Sequence, residues 1–259
     1  MIKLRGVSKV YDQRDRSVPA LEDVTFDVEE GSFVSVVGPS GCGKSTLLLA
    51  IAGIVPIESG TISTGESASA SQDNSQRLLG IVFQRPVLLP WRSVLENVLF
   101  PVEILLENHT LEGLYAAYRE RALELLETMG LTDFKNAYPR ELSGGMQQRV
   151  SICRSLIYDP PVILMDEPFG ALDAFTRQRL NRELLEIWQK SSKTILFVTH
   201  SLEEAVYLSD KIVVFSPRPG TVREILEVDL GRPRSLDVRN SPRYHELVRR
   251  AYDNFQDLL

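Results

Sequence analysis

Long apolar runs are missing from this chain, and so is a cysteine framework. Only two of the 259 residues are cysteine, Cys42 and Cys153. That excludes a fold stapled by disulfides and suits two reduced thiols in a cytosolic protein. No apolar stretch nears the roughly 20 residues that a membrane-spanning helix needs, so any membrane role is expected to be peripheral. The opening MIKLRGVSKVY has no extended apolar region and does not read as a secretory signal. An excess of basic residues is lacking too. Lys and Arg total 29 against 35 Asp and Glu, a formal charge of −6, which disfavours nucleic acid as a partner. What is present is a hydrophobic content of 43%, enough to bury one large domain or a domain with a satellite.

Segments 2–7 (IKLRGV) and 21–30 (LEDVTFDVEE) read as antiparallel strands separated by a polar segment at 12–17. In the second, Val24, Phe26 and Val28 alternate with Thr25 and Asp27, the period of a half-buried strand. Segments 32–37, 161–166 and 194–199 are almost continuously apolar. Such runs suit strands covered on both faces in a parallel sheet. Each leads through polar residues into a helical pattern, where open α/β sheets place ligands. Residues 63–76 carry almost nothing apolar and read as a surface loop. From about 85 to 160 the pattern turns helical, with Arg119, Ala122, Leu123, Leu126 and Met129 at helix spacing. This predicts a helical satellite inserted into an α/β core. Segments 211–215 and 221–228 flank the turn SPRPG as a hairpin, and Ser241 and Pro242 open a closing helix.

Two glycine-lined stretches carry the chemistry. The first, GPSGCGKST, comprises Gly38, Pro39, Ser40, Gly41, Cys42, Gly43, Lys44, Ser45 and Thr46. It follows the strand at 32–37 and opens a helix, the context in which this spacing cradles phosphates on backbone N–H groups. The helix N-terminus adds partial positive charge. Lys44 is positioned for the β- and γ-phosphates, and the Ser45 hydroxyl for Mg²⁺. The strand VILMDEP then ends in two acids: Asp166 to hold Mg²⁺ through a water, Glu167 to accept a proton from an attacking water. Two acids at a strand end can simply solvate a loop, but a phosphate loop in the same chain favours chemistry. His200 ends the strand ILFVTH, which should lie beside the phosphate-loop strand. Histidines there often serve structure, yet this one would reach the γ-phosphate.

The second stretch, LSGGMQQR, begins a helix with Ser143 as N-cap. Met146, Val150, Cys153 and Ile157 recur on one face. Gly144 and Gly145 leave the first-turn N–H groups uncovered, at about 1 kcal/mol per glycine relative to alanine. The glycines could merely permit a tight turn, but that cost suggests that the exposed backbone is used. One nucleotide needs one phosphate loop. The second cradle is therefore expected to close on a nucleotide held by another copy, in a head-to-tail twofold dimer.

On these motifs the chain resembles the ATP-binding cassette (ABC) family of transport ATPases, over nearly its whole length to about residue 226. The resemblance implies an α/β P-loop NTPase core with a mostly parallel sheet and an N-terminal antiparallel β subdomain. It places the ATPase domain at 1–230, with a helical subdomain inserted at about 85–160, and a C-terminal helical extension at 231–259. It also implies ATP and Mg²⁺ as ligands. Tyr11 would stack on adenine, and Gln84 would link the Mg²⁺ and water site to a membrane partner. Ser143, Gly144, Gly145 and Gln147 belong to the signature that caps the opposite subunit's ATP. Asp173 lies in the loop ALD, and His200 is the switch histidine.

The stretches LLPWRSVLENV, ALDAFTRQRLNRELLEIWQ and FSPRPG are further similar to the bacterial nitrate, sulfonate and taurine importer branch. That likeness implies transmembrane permease subunits as partners, a periplasmic or lipid-anchored solute-binding protein acting indirectly, and residence at the cytoplasmic face of the inner membrane. Trp91 either packs the satellite or faces the permease. A soluble ABC ATPase uncoupled from transport, and a regulatory nucleotide module, are the alternatives. The transported solute is not written in this chain.

Overall fold

The computed structural model describes residues 1–13, 16–64, 79–106, 112–191 and 193–255. The first half of the chain runs β1 (Ile2–Gln13), β2 (Arg16–Val28), β3 (Phe33–Val37), α1 (Lys44–Ile51), β4 (Ser59–Thr64), β5 (Leu79–Val82), α2 (Val94–Leu106) and α3 (Glu112–Thr128). The second half adds α4 (Gly144–Leu156), β6 (Val162–Asp166), α5 (Ala174–Ser191), β7 (Thr194–Thr199), α6 (Leu202–Leu208), β8 (Lys211–Phe215), β9 (Val222–Glu227) and α7 (Pro242–Asp253).

The apolar runs form the centre of a six-stranded sheet in the order β5-β6-β7-β3-β8-β9. Every pair is parallel except β8 with β9. Alternation persists inside these runs, divided between two buried faces. Phe33, Val37, Ile163, Met165, Ile195 and Phe197 join the core under the helices. Val34, Val36, Val162, Leu164, Leu196 and Val198 join the core shared with α1 and the N-terminal sheet. That second sheet, β2-β1-β4, is antiparallel. The chain is therefore an α/β protein with a mostly parallel sheet and an antiparallel β subdomain.

The polar segment 12–17 does not separate the strands as expected. Asp12 pairs with Ser17 and Gln13 with Arg16, so the two strands run on side by side into that segment; residues 14 and 15 lie outside the described residues. Outer ladder residues can satisfy their backbone without an apolar face, which makes polarity a poor stop signal. Ser63 and Thr64, expected in a loop, complete β4; residues 65–78 lie outside the described residues. Ala122 and Leu126 of α3 and Met129 just past its end are buried, whereas Leu123 is half-buried and Arg119 exposed. Three of the five expected residues are thus packed, and Arg119 is not.

The helices α2, α3 and α4 share their buried residues with the core under the sheet. So does α7, whose Tyr244, Leu247 and Ala251 are buried. Ser241 caps that helix and Pro242 opens it, as the sequence predicts. Arg234 tethers the segment before it. Its fully buried guanidinium donates to the carbonyls of Tyr207 (3.0 Å) and Ser209 (2.8 Å), orphan acceptors at the C-terminal end of α6, and to that of Leu230 (3.2 Å) beyond β9.

Candidate functional site

The loop between β3 and α1 depends on two glycines. Gly41 and Gly43 have φ of +77° and +104°, a region that side chains disfavour. A Cβ on Gly43 would also lie 2.5 Å from the Ala20 carbonyl oxygen of β2. The loop is thereby pressed against the N-terminal sheet. Lys44 is buried, and its Nζ donates to the Gly38 and Pro39 carbonyls at 2.8 and 3.0 Å. The same nitrogen lies 3.8 Å from a Glu167 carboxylate oxygen. The Cys42 thiol is buried, and burial raises its pKa. Of Cys42, the backbone alone is left for a ligand.

Parallel register brings the remaining groups to the same edge. Val37 pairs with Thr199, and Asp166 with Val198, so β3, β6 and β7 end side by side. The Ser45 hydroxyl donates to Asp166 at 3.0 Å. Burial, with the neighbouring Glu167 charge, pushes the Asp166 carboxyl up despite that bond. Glu167 follows with φ of +42°, a left-handed geometry that costs a non-glycine residue about 1 kcal/mol or more. The strained turn aims its carboxylate at three partners. The His200 ring Nδ1 is 3.0 Å away, the Gln84 amide donates at 3.4 Å, and Lys44 completes the set.

A cleft of about 350 Å³ opens over these groups, with Tyr11 along its wall and Ser40, Gly41, Gly43, Lys44, Ser45 and Thr46 lining it. Gln84 and Glu167 line it too. Two further lining residues, Ala20 and Arg218, escape the sequence reading. Arg218 sits in the turn SPRPG, read there as a hairpin turn and as a mark of the importer branch but not as part of the site; an arginine among turn-forming residues was the available signal.

Residues 21–170 match the ABC transporter family. The chain belongs to this family.

The cassette is 43% identical over 268 residues to the taurine import ATP-binding protein TauB of Rhizobium johnstonii, covering 100% of this chain and 98% of that protein. It is 40% identical over 255 residues to the aliphatic sulfonates import ATP-binding protein SsuB of Bacillus cereus, covering 98% and 96%. These relatives place it in the sulfonate and taurine importer branch. Among solved structures, a dimeric ATP-binding cassette in a post-hydrolysis state bound to ADP and Pi superposes with a TM-score of 0.77 at 33% identity, covering 89% of this chain and 100% of that one. The chain is accordingly an ABC-type ATPase, and ATP is the nucleotide that this family binds.

The rest of the expected ABC site lies outside the cleft. Gly38 and Pro39 line a neighbouring cavity of about 480 Å³ with Ser40 and His200. Ser143 caps α4, its hydroxyl accepting from the Met146 N–H at 3.3 Å, as the sequence predicts. Ser143 and Gly144 are exposed. A Cβ on Gly145 would approach the Thr176 methyl to 3.0 Å, so the signature turn packs on the first turn of α5. The Gln147 side chain donates to the Pro139 carbonyl at 2.9 Å. Asp173 accepts from the Phe175 and Thr176 N–H groups, both at 3.0 Å, and so caps α5. Both side chains are committed within their own chain.

The signature helix also grips the segment that carries Gln84. Gln148 donates to the Phe83 carbonyl at 3.3 Å, and Arg154 to the Pro86 and Val87 carbonyls, each at 2.8 Å. Fully buried Asn97 holds the following loop through Leu89 and the Arg92 and Ser93 carbonyls. That loop presents Trp91, 71% exposed, beside Val87, 62% exposed. Trp91 therefore does not pack the satellite's core.

Proposed function

We propose that this cassette is the ATP-hydrolysing subunit of an importer for a small solute such as a sulfonate, taurine or nitrate. The observation that carries the reading is the meeting of Lys44, Ser45, Gln84 and Glu167 in one cleft, with Asp166 bonded to Ser45 and His200 beside Glu167 just outside its lining. Lys44 and the loop amides would grip the β- and γ-phosphates. Glu167 would take the proton of the attacking water, held by Gln84 and His200 in the orientation seen here. His200 would then touch the γ-phosphate and lose that contact once the phosphate leaves.

The residues present fit Mg²⁺. Ser45 and Asp166 offer two oxygen ligands at hydrogen-bond distance from each other. Among the described residues, no group of three His, Cys, Asp or Glu side chains could cage a metal alone. That suits an ion that takes the rest of its shell from phosphates and water. When bound, Mg²⁺ would neutralise charge developing on the phosphates.

The exposed Ser143 and Gly144 would seal the ATP of a second copy in a head-to-tail dimer, each copy supplying one half of each site. This fits the dimeric form of the ADP-bound relative. Trp91 and Val87 would dock on a transmembrane permease, and Arg154 and Gln148 would carry motion from the signature helix to that surface. Among the described residues no helix is long and apolar enough to cross a membrane, so the membrane path is assigned to the permease. The cassette would work at the cytoplasmic face of the inner membrane, with a solute-binding protein delivering cargo on the other side. We assign residues 1–230 to the ATPase domain, with 85–160 as its inserted helical subdomain, and 231–259 to a C-terminal helical extension.

Growth decides between cargoes. A strain lacking this chain should lose growth on taurine or an alkanesulfonate as sole sulfur source, or on nitrate as sole nitrogen source, while growing on sulfate and ammonium. Unimpaired growth on all of them would remove the importer assignment.

A further inference from the structure

We infer that Arg218 is a nucleotide-binding residue that holds the α-phosphate of ATP. The inference rests on the phosphate-loop site described above. Arg218 lines the same cleft as Tyr11 and Lys44, on a turn that the fold holds firmly. Within the turn, the Ser216 N–H donates to the Thr221 carbonyl, and the Thr221 N–H to the Ser216 hydroxyl, both at 2.9 Å. Across to β2, the Gly220 N–H donates to the Ala20 carbonyl and the Glu22 N–H to the Gly220 carbonyl, both at 3.0 Å. A Cβ on Gly220 would fall 2.2 Å from the Cys42 carbonyl oxygen. The turn is thus clamped against both the phosphate loop and β2.

Strand β2 serves as a ruler. Its Ala20 carbonyl abuts Gly43 of the phosphate loop. The next carbonyl, that of Pro19, accepts from the Arg218 Nε at 3.0 Å. One residue further, Val18 pairs with Tyr11. At about 3.3 Å per residue, Arg218 is anchored midway between the loop that grips the terminal phosphates and the ring expected against the base. That is the level of the α-phosphate. Lys44 is spent on the terminal phosphates, so this stretch of the ligand has no other cation assigned to it.

The guanidinium is also uncommitted. Arg232, Arg243 and Arg250 pair with Asp210, Asp229 and Glu224. Among the described residues Arg218 has no carboxylate partner, and only its Nε is bonded. The two Nη groups remain for a ligand, in the planar fork that suits phosphate oxygens.

The test is equilibrium binding of ATP, ADP and GTP to the full chain, to Arg218→Ala and to Arg218→Lys, at low and high salt. Arg218→Ala should weaken all three ligands by a similar factor, roughly tenfold at low salt for one lost charge-assisted contact. Arg218→Lys should fall between. Higher salt should shrink the difference. Unchanged affinity in Arg218→Ala overturns the inference, as does a loss for ATP that spares GTP, which would mean base recognition. A lowered melting temperature without nucleotide, with Lys as damaging as Ala, overturns it in favour of a structural role. Lys44→Ala, run in parallel, separates the two levels. If it loses ATP while Arg218→Ala keeps it, Arg218 alone is misassigned; if Lys44→Ala binds normally, the phosphate-loop reading fails.

Discussion

Replacing Glu167 with Gln isolates the proposed base with the least structural disturbance. The two side chains have the same shape, and the backbone at φ +42° is left as it is. The amide oxygen can still face His200, now 3.0 Å from the carboxylate. Lys44 loses one partner at 3.8 Å but keeps two carbonyls at 2.8 and 3.0 Å. What disappears is proton acceptance. A positioned general base contributes about 10²- to 10⁴-fold, or roughly 3–5 kcal/mol of barrier. Removing one negative charge several ångströms from a triphosphate should help binding by on the order of 1 kcal/mol at an effective dielectric constant near 20. Turnover should therefore fall at least about 100-fold while ATP affinity holds or improves, and an ATP-bound dimer should accumulate. Phosphate release under saturating Mg-ATP reads the first effect, equilibrium binding the second, and light scattering the third. Phosphate release within a few-fold of the parent would refute Glu167 as the base.

Three further perturbations probe coupling and stability. Trp91→Ala should leave melting and basal ATPase activity unchanged, because the side chain is 71% exposed, yet abolish solute uptake with the permease; normal uptake would misplace the docking surface. Asp159→Asn removes a carboxylate held below the usual range by Lys193 at 2.6 Å and Arg121 at 2.8 Å, at a backbone position (φ +58°) that asparagine tolerates. A lowered folded-state pKa gives stability that is present above the unfolded value and lost as pH falls through the folded one. The carboxylate is 60% exposed, so the variant should be less stable by only about 1 kcal/mol near pH 7, with the gap in urea midpoints closing below about pH 4. A gap independent of pH would discard the ion pair as its cause. Arg234→Met should cost about 3 kcal/mol in urea unfolding, because it strips donors from carbonyls at the end of α6 and from that of Leu230; a loss under about 1 kcal/mol would show that this tether is dispensable.

Much of the molecule was legible in local patterns. The two-faced strands, the glycine-rich turn into α1 and the Ser143 and Ser241 caps each depend on a few adjacent residues, because strand period, left-handed φ and orphan N–H groups are short-range demands. Other features were not. The pairing of 12–13 with 16–17 forms because β1 and β2 run side by side, whatever their polarity, and the buried residues of α3 were chosen by the helices it meets. Asp173 also caps α5, which its place inside a motif does not reveal.

By itself the sequence determined the class of chemistry: a phosphate cradle, a strand ending in two acids, a second glycine turn and a histidine after a strand. Tertiary structure alone decided which of these meet. The bond between Ser45 and Asp166 spans 121 residues, that between Gln84 and Glu167 spans 83, and the anchor of Arg218 on Pro19 spans 199. No local preference reaches so far. Such meetings follow from parallel register and from the burial of both sheet faces, which are properties of the whole chain packing at once.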